Sequence, residues 1–171
     1  MYGGMCTSEY TQSLLNLSES ANKSEGVKLT TIFLGNESLI QRGRNTIAHH
    51  FMNLPDATHL LFIDADIKFR VEDIVKMIQA DKPLIIGPVG LKGYNWDEIR
   101  QAAINGEDDI ARTGGVFNIN KLPGVDMVNE NEPFEIEHGG NAFMMIRRDC
   151  FETLKPHTPI YTNGGRSLPD G

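Results

Sequence analysis

ATHLLFIDADIKF, residues Ala57–Phe69, is a stretch in which a continuous apolar run leads directly into two aspartates. The run Leu60–Ile63 is typical of a central strand in a parallel sheet, because such a strand is covered on both faces. Asp64 and Asp66 would then follow the carboxyl end of that strand, which is the edge at which open α/β sheets bind ligands. The stretch therefore predicts an α/β fold, and it places a ligand site at the carboxyl end of this strand.

The segments around this stretch alternate between helical and strand patterns. Helices are predicted over Ser8–Asn22, capped by Thr7 or Ser8, over residues 38–53, capped by Asn36 or Ser38, and over residues 71–81. Strands are predicted over Val27–Gly35, residues 59–64 and residues 83–88. This alternation predicts a three-layer α/β/α fold with a mainly parallel, Rossmann-like central sheet.

The character of the chain changes at about Asn105 and Gly106. The segments that follow are short and separated by Gly, Pro and Asn, and we expect them to form short antiparallel strands. They are GGVFNIN, VDMVNE, PFEIEH and AFMMIRR. The sequence thus predicts one domain over residues 1–171, with a βα part at 1–104 and a second part at 105–171.

Composition excludes several classes of protein. A formal charge of −7 and a pI near 5.2 argue against a nucleic-acid or membrane-surface binder, which would carry a basic patch. No apolar stretch approaches the ~20 residues that cross a bilayer, and the first ten residues lack a secretory signal. Cys6 and Cys150 are too few for a disulfide framework, so we expect free thiols and a cytoplasmic location.

The chemistry of two adjacent carboxylates indicates a cation. Asp64 and Asp66 would raise each other's pKa, so a positive group should hold them ionised. Mg²⁺ or Mn²⁺ fits, because it takes one or two carboxylates and completes its shell with phosphate oxygens and water. The alternative is a solvated turn or a helix N-cap, since aspartates are common after strands.

Two other acidic motifs do not fit the sequence. An EF-hand would need an oxygen ligand, a glycine and a glutamate where this chain has Lys68, Phe69 and Val75. A dehalogenase-type D-x-D-x-[TV] nucleophile would need a small residue at position 68, where lysine stands.

Arg44 is a cation that the sequence could bring to such a site. At ~100° per residue from Ile40, it falls in the arc of the apolar face formed by Gly43, Ile47 and Phe51. A guanidinium aimed at the core side needs an anionic partner, which could be a carboxylate at the sheet edge or a phosphate. A purely structural ion pair is the alternative.

Two glycine-containing segments could also line a ligand. IIGPVGLKGYNW, residues 85–96, follows an apolar run and offers Lys92 and Tyr94, but its spacing is not that of a dinucleotide fingerprint. In EIEHGGNAFMMIRRD, Gly139 and Gly140 precede an apolar strand and would leave room for a substrate. In both segments the glycines could instead serve only to turn the chain.

Taken together, these segments resemble the GT-A glycosyltransferases, most closely the small family-2-like enzymes of phages and large DNA viruses. The resemblance covers nearly the whole chain and rests on LIQRGRNTIAHHFMN, ATHLLFIDADIKF, IIGPVGLKGYNW and EHGGNAFMMIRRDCFE. It implies a GT-A fold, with a nucleotide-binding half at 1–104 and an acceptor-side part at 105–171. It also implies transfer of a sugar from a UDP-, GDP- or dTDP-linked donor to a glycan, lipid or protein acceptor in the cytoplasm, which for a virus or phage is that of the host.

The resemblance assigns roles to individual residues. It makes Asp66 and Asp64 the ligands of Mn²⁺ or Mg²⁺, with Asp64 also close to the ribose. The nucleotide-sugar would be bound by Tyr2, Gly3, Arg44, Asp64, Ala65, Lys92, Gly139 and Gly140. No catalytic base is assigned, and Glu137 and Glu135 are the nearby candidates, of which Glu137 is the one carried forward.

The sequence departs from that family at both ends. We expect the family's first strand to precede Tyr2 and an acidic C-terminal block to follow Gly171, and neither is present. A non-catalytic nucleotide- or glycan-binding remnant is therefore an alternative. A sugar-nucleotidyltransferase is a further one, although MYGGMCTSEY lacks the basic residues of its glycine-rich loop.

Overall fold

A computed structural model of the chain describes residues 4–108, 110–124 and 132–159. Its helices are α1 Ser8–Lys23, α2 Ile40–Met52, α3 Val71–Gln79, α4 Trp96–Asn105, α5 Ile110–Thr113 and α6 Arg148–Leu154, and the 3₁₀ turn Lys155–His157 follows. Its strands are β1 His59–Ile63, β2 Leu84–Ile86, β3 Gly90–Tyr94, β4 Gly115–Phe117, β5 Ile119–Lys121, β6 Ile136–Gly139 and β7 Phe143–Arg147. The predicted strand VDMVNE lies outside the described residues.

The chain divides into two compact units. The first unit is Met1–Ile85 together with Met145–Gly171, and the second is Ile86–Met144. The acidic stretch after β1 belongs to the first unit, and the segments from Gly87 to Gly140 belong to the second.

The predicted three-layer α/β/α fold with a mainly parallel sheet is wrong. The largest sheet has three strands in the order β1-β7-β2, so the late strand β7 lies between the two earlier ones. Backbone hydrogen bonds, each of 2.9 Å, run from Gly87 to Phe143, from Arg147 to Pro83 and from Arg148 to Thr58. Gly87 lies opposite Phe143 and Pro83 opposite Arg147, so β7 is antiparallel to β2. Thr58, just before β1, lies opposite Arg148, just after β7, so β7 is also antiparallel to β1. The apolar runs of β1 and β2 predict strands correctly, but a local pattern does not reveal which strand lies between them.

The strand predicted over Val27–Gly35 is also wrong. The structure assigns no strand to these residues, and Val27, Leu29 and Phe33 are exposed. β-branched residues favour a strand chiefly through packing on neighbouring strands, and the described residues provide no such neighbour here. The end of the segment instead packs on α2, where a Cβ at Gly43 would lie 3.1 Å from Leu34 Cδ2.

Helix α2 begins differently from the prediction. Leu39 is its N-cap and makes no side-chain capping bond, so the expected caps Asn36 and Ser38 are wrong. Glu37 takes over this role, since its carboxylate accepts the Leu39 N–H at 3.0 Å and binds Arg42 through two nitrogens. A carboxylate at a helix N-terminus satisfies an otherwise unpaired donor and interacts favourably with the helix dipole.

Helix α1 forms as predicted, and Thr7 caps it by accepting the N–H of Tyr10 at 3.2 Å. Its buried residues recur at helical spacing: Tyr10, Ser13, Leu17 and Ala21. Two of them hold Phe69, which follows the acidic stretch. The Tyr10 and Phe69 rings meet edge to face, and the Phe69 N–H donates to the buried Ser13 hydroxyl at 3.1 Å.

Arg148 closes the carboxyl end of α2. Its guanidinium donates to the backbone carbonyls of Phe51, Leu54 and Ala57, and it lies 4.6 Å from the centroid of the Phe51 ring. Of these three carbonyls only that of Phe51 belongs to α2, and a cation at this end of the helix complements the helix dipole. Arg148 therefore connects α2, β1 and α6 within the first unit.

The second unit contains two antiparallel ribbons, as the C-terminal segments predict. In one, β3 pairs with β4, with Gly90 opposite Phe117 and Tyr94 opposite Gly115. In the other, β5 pairs with β6, with Ile119 opposite Gly139. Asn95 caps α4 through its side chain, and Gly106 ends that helix in the left-handed conformation.

Replacing Gly87 with alanine should destabilise the protein. A Cβ at this position would lie 2.3 Å from Cδ1 of Phe143, whose ring is only 6% exposed and has little room to move. We expect a loss of about 2 kcal/mol in the free energy of unfolding, measured with urea. Gly90→Ala is the matched control, since its Cβ would meet nothing within 4 Å. Equal losses in both variants would contradict this prediction.

Candidate functional site

The acidic turn, defined here as Asp64–Ile67, follows directly from β1. Asp64 and Asp66 are both exposed, and the Ile67 N–H donates to the Asp64 carbonyl at 3.0 Å, which closes the turn. The alternation of β1 buries Leu60 and Phe62, which are 7% and 9% exposed. The chain thus passes from a strand with two buried side chains to a turn with two exposed carboxylates.

Arg44 reaches this turn from α2. Its Nη2 donates to Asp64 Oδ1 at 3.0 Å, and its guanidinium carbon lies 5.1 Å from the centroid of the Phe62 ring. Successive side chains of a strand alternate between faces, so Phe62 and Asp64 can support the same guanidinium. The Arg44 side chain is 17% exposed. The anionic partner that the sequence requires for Arg44 is therefore the carboxylate of Asp64.

Burial raises the pKa of Asp64 above its ordinary value. The charge of Arg44 opposes this rise in pKa, and the negative charge of Asp66 adds to it. The ionised form of Asp64 is thus less favourable in the folded protein than in water, even with Arg44 beside it. A further cation at this turn would favour the ionised form of Asp64.

The N-terminus of helix α1 also contacts the acidic turn. The N–H of Thr7 donates to the carbonyl of Ala65 at 3.0 Å, so the residue between the aspartates is held by the N-cap of α1. Together with the bond from Phe69 to Ser13, the turn and the segment after it are attached to α1 and its N-cap. Of the predicted N-terminal contacts, Tyr2 and Gly3 lie outside the described residues.

The donor set of the turn fits a divalent cation, which prefers carboxylate oxygens. Both carboxylates are exposed, and Asp64 also binds Arg44. Among residues 4–108, 110–124 and 132–159, no group of three or more His, Cys, Asp or Glu side chains is placed to hold a metal ion. A cation bound through Asp66 and Asp64 would thus take its remaining ligands from phosphate and water.

The other predicted site residues lie in the second unit. Lys92 is exposed on β3, and Gly139 and Gly140 stand at the end of β6. Glu137, the candidate base, is also exposed, with its carboxylate 4.0 Å from Nδ1 of His138. Arg44, Asp64, Ala65 and Asp66 belong to the first unit.

Asn118, which no sequence pattern singles out, joins the two glycine-containing segments. Its N–H donates to the Val89 carbonyl at 3.1 Å, and its carbonyl accepts the Gly140 N–H at 2.8 Å. Asparagine is depleted in strands, so its presence in the middle of GGVFNIN was a signal that could have identified it.

Comparison with known proteins identifies no relative. No protein-family model matches the chain, and no curated protein or solved structure matches it either. Within the described residues, no helix has both the length and the apolar character needed to cross a membrane.

Replacing Asp64 with asparagine should change how stability depends on pH. Because the pKa of Asp64 is raised in the folded protein, the protonated group favours folding below the unfolded pKa of about 3.9. This contribution is lost as pH rises through the folded pKa, and the variant does not lose it. The stability of Asp64→Asn relative to the wild type should therefore increase between pH 4 and pH 7, as measured by urea unfolding.

Asp56→Asn, at an exposed position of the same unit, is the control for this experiment. A decrease in the relative stability of Asp64→Asn with pH would instead mean that the Arg44 pair outweighs burial.

Proposed function

We propose that this chain is a metal-dependent glycosyltransferase that moves a sugar from a nucleotide-sugar donor to an acceptor hydroxyl. The observation that carries the proposal is the acidic turn, in which Arg44 holds Asp64 while Asp66 stands exposed at the end of β1. Two carboxylates and a guanidinium at one strand end suit a cation and the diphosphate that accompanies it. The resemblance of the sequence to glycosyltransferases supports the same function.

The residues of the turn would act on the leaving group. When bound, Mn²⁺ or Mg²⁺ supplies Lewis-acid stabilisation of the charge that develops on the nucleoside diphosphate. Asp66 and Asp64 would hold the ion, and Arg44 would interact with the nucleotide phosphates. A guanidinium has five N–H donors, and the hydrogen bond to Asp64 uses one of them. A preformed cationic group of this kind stabilises developing charge without reorganising.

The acceptor hydroxyl would need a base, and the proposal assigns none. Glu137 is the weak candidate from the sequence, and its exposed carboxylate lies beside His138. Lys92, Gly139 and Gly140 remain proposed contacts of the nucleotide-sugar. Tyr2, Gly3 and Ala65 complete the set proposed from the resemblance.

A thermal-shift and turnover experiment tests this function. Mn²⁺ with UDP, GDP or dTDP, and with the corresponding sugar donors, should raise the melting temperature. Ligand at ~100 times its Kd adds about 2.7 kcal/mol to the free energy of unfolding. Metal-dependent release of nucleoside diphosphate would support the enzyme. Failure of every nucleotide to raise the melting temperature in the presence of metal would overturn the proposal.

Binding without turnover would instead identify a nucleotide- or glycan-binding protein. The observation that favours this second function is that the Arg44 guanidinium already binds the carboxylate of Asp64, so one of the two proposed metal ligands takes part in a structural ion pair. A cytoplasmic location forms part of both proposals, and the free thiols of Cys6 and Cys150 agree with it.

A further inference from the structure

The segment Val27–Gly35 has the composition of a strand and lies between two turns of the chain. Gly26 before it and Asn36 after it both have a positive φ, of 77° and 56°. Exposure alternates along its second half, where Ile32 and Leu34 are half-buried and their neighbours are exposed. A period of two is that of an extended chain. The segment is therefore an extended stretch with a defined beginning and end.

The backbone of this segment is open for pairing. Within the described part of the chain, the N–H and C=O groups of residues 27–33 make no hydrogen bond to other backbone groups. The structure also assigns these residues to no helix or strand. A row of unpaired N–H and C=O groups on an extended chain is a template for a further strand. Sheet hydrogen bonds from residues 27–33 thus need a partner that the described residues do not supply.

One face of the segment is apolar and exposed. Val27, Leu29 and Phe33 are 52%, 40% and 48% exposed. They are an even number of residues apart, so they share one face of the extended chain. On the other face, Leu34 packs on α2, where a Cβ at Gly43 would lie 3.1 Å from its Cδ2. The segment is thus attached to the protein by one face and exposes the other.

The charges of the segment suit pairing with an identical segment. Lys28 is the only charged residue between Gly26 and Asn36. If two copies pair antiparallel about Thr31, Lys28 of one copy lies opposite Leu34 of the other, and the two lysines are about 20 Å apart. This register sets no like charges opposite each other within residues 26–36, whereas a foreign partner would find almost no charge there to recognise.

We propose that Val27–Gly35 is the interface of a homodimer, in which it pairs antiparallel with the same segment of a second copy. Such a contact is isologous, so both copies use the same residues and the assembly closes at two. About Thr31, Leu29 of each copy lies opposite Phe33 of the other, and aromatic pairs across strands are favourable. A standard interface buries about 800 Å² per partner, and one short strand supplies less, so this dimer is weak. The dimer does not depend on the proposed function.

Sedimentation and hydrogen exchange test the dimer in the unmodified protein. Measurements from about 10 µM to about 1 mM cover micromolar to millimolar affinities. We expect the sedimentation mass to rise from the 19.0 kDa of the chain towards twice that value. Alternate amides within residues 27–33 should become protected over the same range, because every second N–H of an antiparallel strand faces its partner. A chain that remains monomeric at about 1 mM would refute the proposal.

Phe33→Lys tests the apolar contact. A symmetric dimer contains every substitution twice, and each buried phenylalanine accounts for about tenfold or more in affinity, so dimerisation should weaken at least about hundredfold. Val75→Lys is the matched control, since it makes the same change of charge at a position of α3 that is 43% exposed. It should leave dimerisation unchanged. Equal weakening in both variants would show a general effect of charge and would count against the interface.

Thr30→Pro and Thr31→Pro test the backbone pairing. Both side chains are exposed and neither N–H has a backbone partner, so proline removes no backbone hydrogen bond from the single copy. Adjacent N–H groups point to opposite edges of a strand, so one of the two prolines should remove a bond of the dimer and abolish the protection of residues 27–33. Circular dichroism checks that the variants stay folded. Unchanged dimerisation in both, or a dimer without protection of residues 27–33, would overturn the proposal.

Discussion

Asp66→Ala is expected to abolish metal-dependent nucleotide binding at the acidic turn. Both carboxylates of the turn are exposed, and the proposed function makes Asp66 the first metal ligand because Asp64 also binds Arg44. Loss of a group that merely supports a metal ligand costs 10–100-fold in affinity, so loss of the ligand itself should cost about 100-fold or more. Isothermal titration of Mn²⁺ together with UDP, GDP or dTDP measures this effect.

The matched control for Asp66→Ala is Asp56→Ala, which removes an exposed carboxylate from a turn of the same unit. It leaves the net charge of the protein equal to that of Asp66→Ala, so a general electrostatic effect would appear in both variants. Unchanged nucleotide affinity in Asp66→Ala would remove the acidic turn from the site. Asp66→Asn should behave like the alanine variant, because an amide oxygen is a weaker ligand of a hard cation than a carboxylate.

Arg148→Ala is expected to cause the largest loss of stability. The substitution removes the donor to three carbonyls at and beyond the end of α2 and uncovers one face of the Phe51 ring, which is 3% exposed. Hydrogen bonds from charged groups contribute more than neutral ones, and we expect a loss of about 3 kcal/mol. For a chain of this size that corresponds to a fall in Tm of about 6–12 °C.

The neighbouring Arg147 provides the matched control. It binds the carboxylates of Asp81 and Asp149 at the surface. The hydrogen bond from Arg147 holds the pKa of Asp149 below its usual value. Exposed ion pairs contribute little to stability, so Arg147→Ala should lose clearly less stability than Arg148→Ala. Equal losses in calorimetric unfolding would show that the carbonyl contacts of Arg148 are not a special source of stability.

Local sequence patterns predicted helices α1, α2 and α3 and several strands, because periodicity reports which face of a segment is buried, but they did not predict α4, α5 or α6. Helix α1 and its cap Thr7 were predictable, since the capping residue and the apolar stripe lie within one short segment. The neighbours in the sheet were not, because β7 comes from residues 143–147 and separates strands that begin at residues 59 and 84. The segment Val27–Gly35 shows the same limit, since its β-branched residues predict a strand but do not supply a partner for it.

The candidate site was partly predictable for a related reason. The helical spacing that places Arg44 toward the core, and the strand end that carries Asp64, are both local features, and the two side chains do meet. The role of Phe62 beneath the guanidinium depends on how α2 packs on β1, which the sequence alone does not specify. Asn118 was missed because its importance comes from two backbone partners that are distant in sequence, Val89 and Gly140.

The bond from the Thr7 amide to the Ala65 carbonyl gives the acidic turn a reporter that needs no ligand. An amide hydrogen exchanges with solvent only when its hydrogen bond opens, so the exchange rate of this one proton measures how often the turn separates from α1. Ala65 stands between the two aspartates, and any rearrangement that withdraws its carbonyl must release that proton. Hydrogen exchange at the Thr7 amide therefore reports opening of the acidic turn in the free protein.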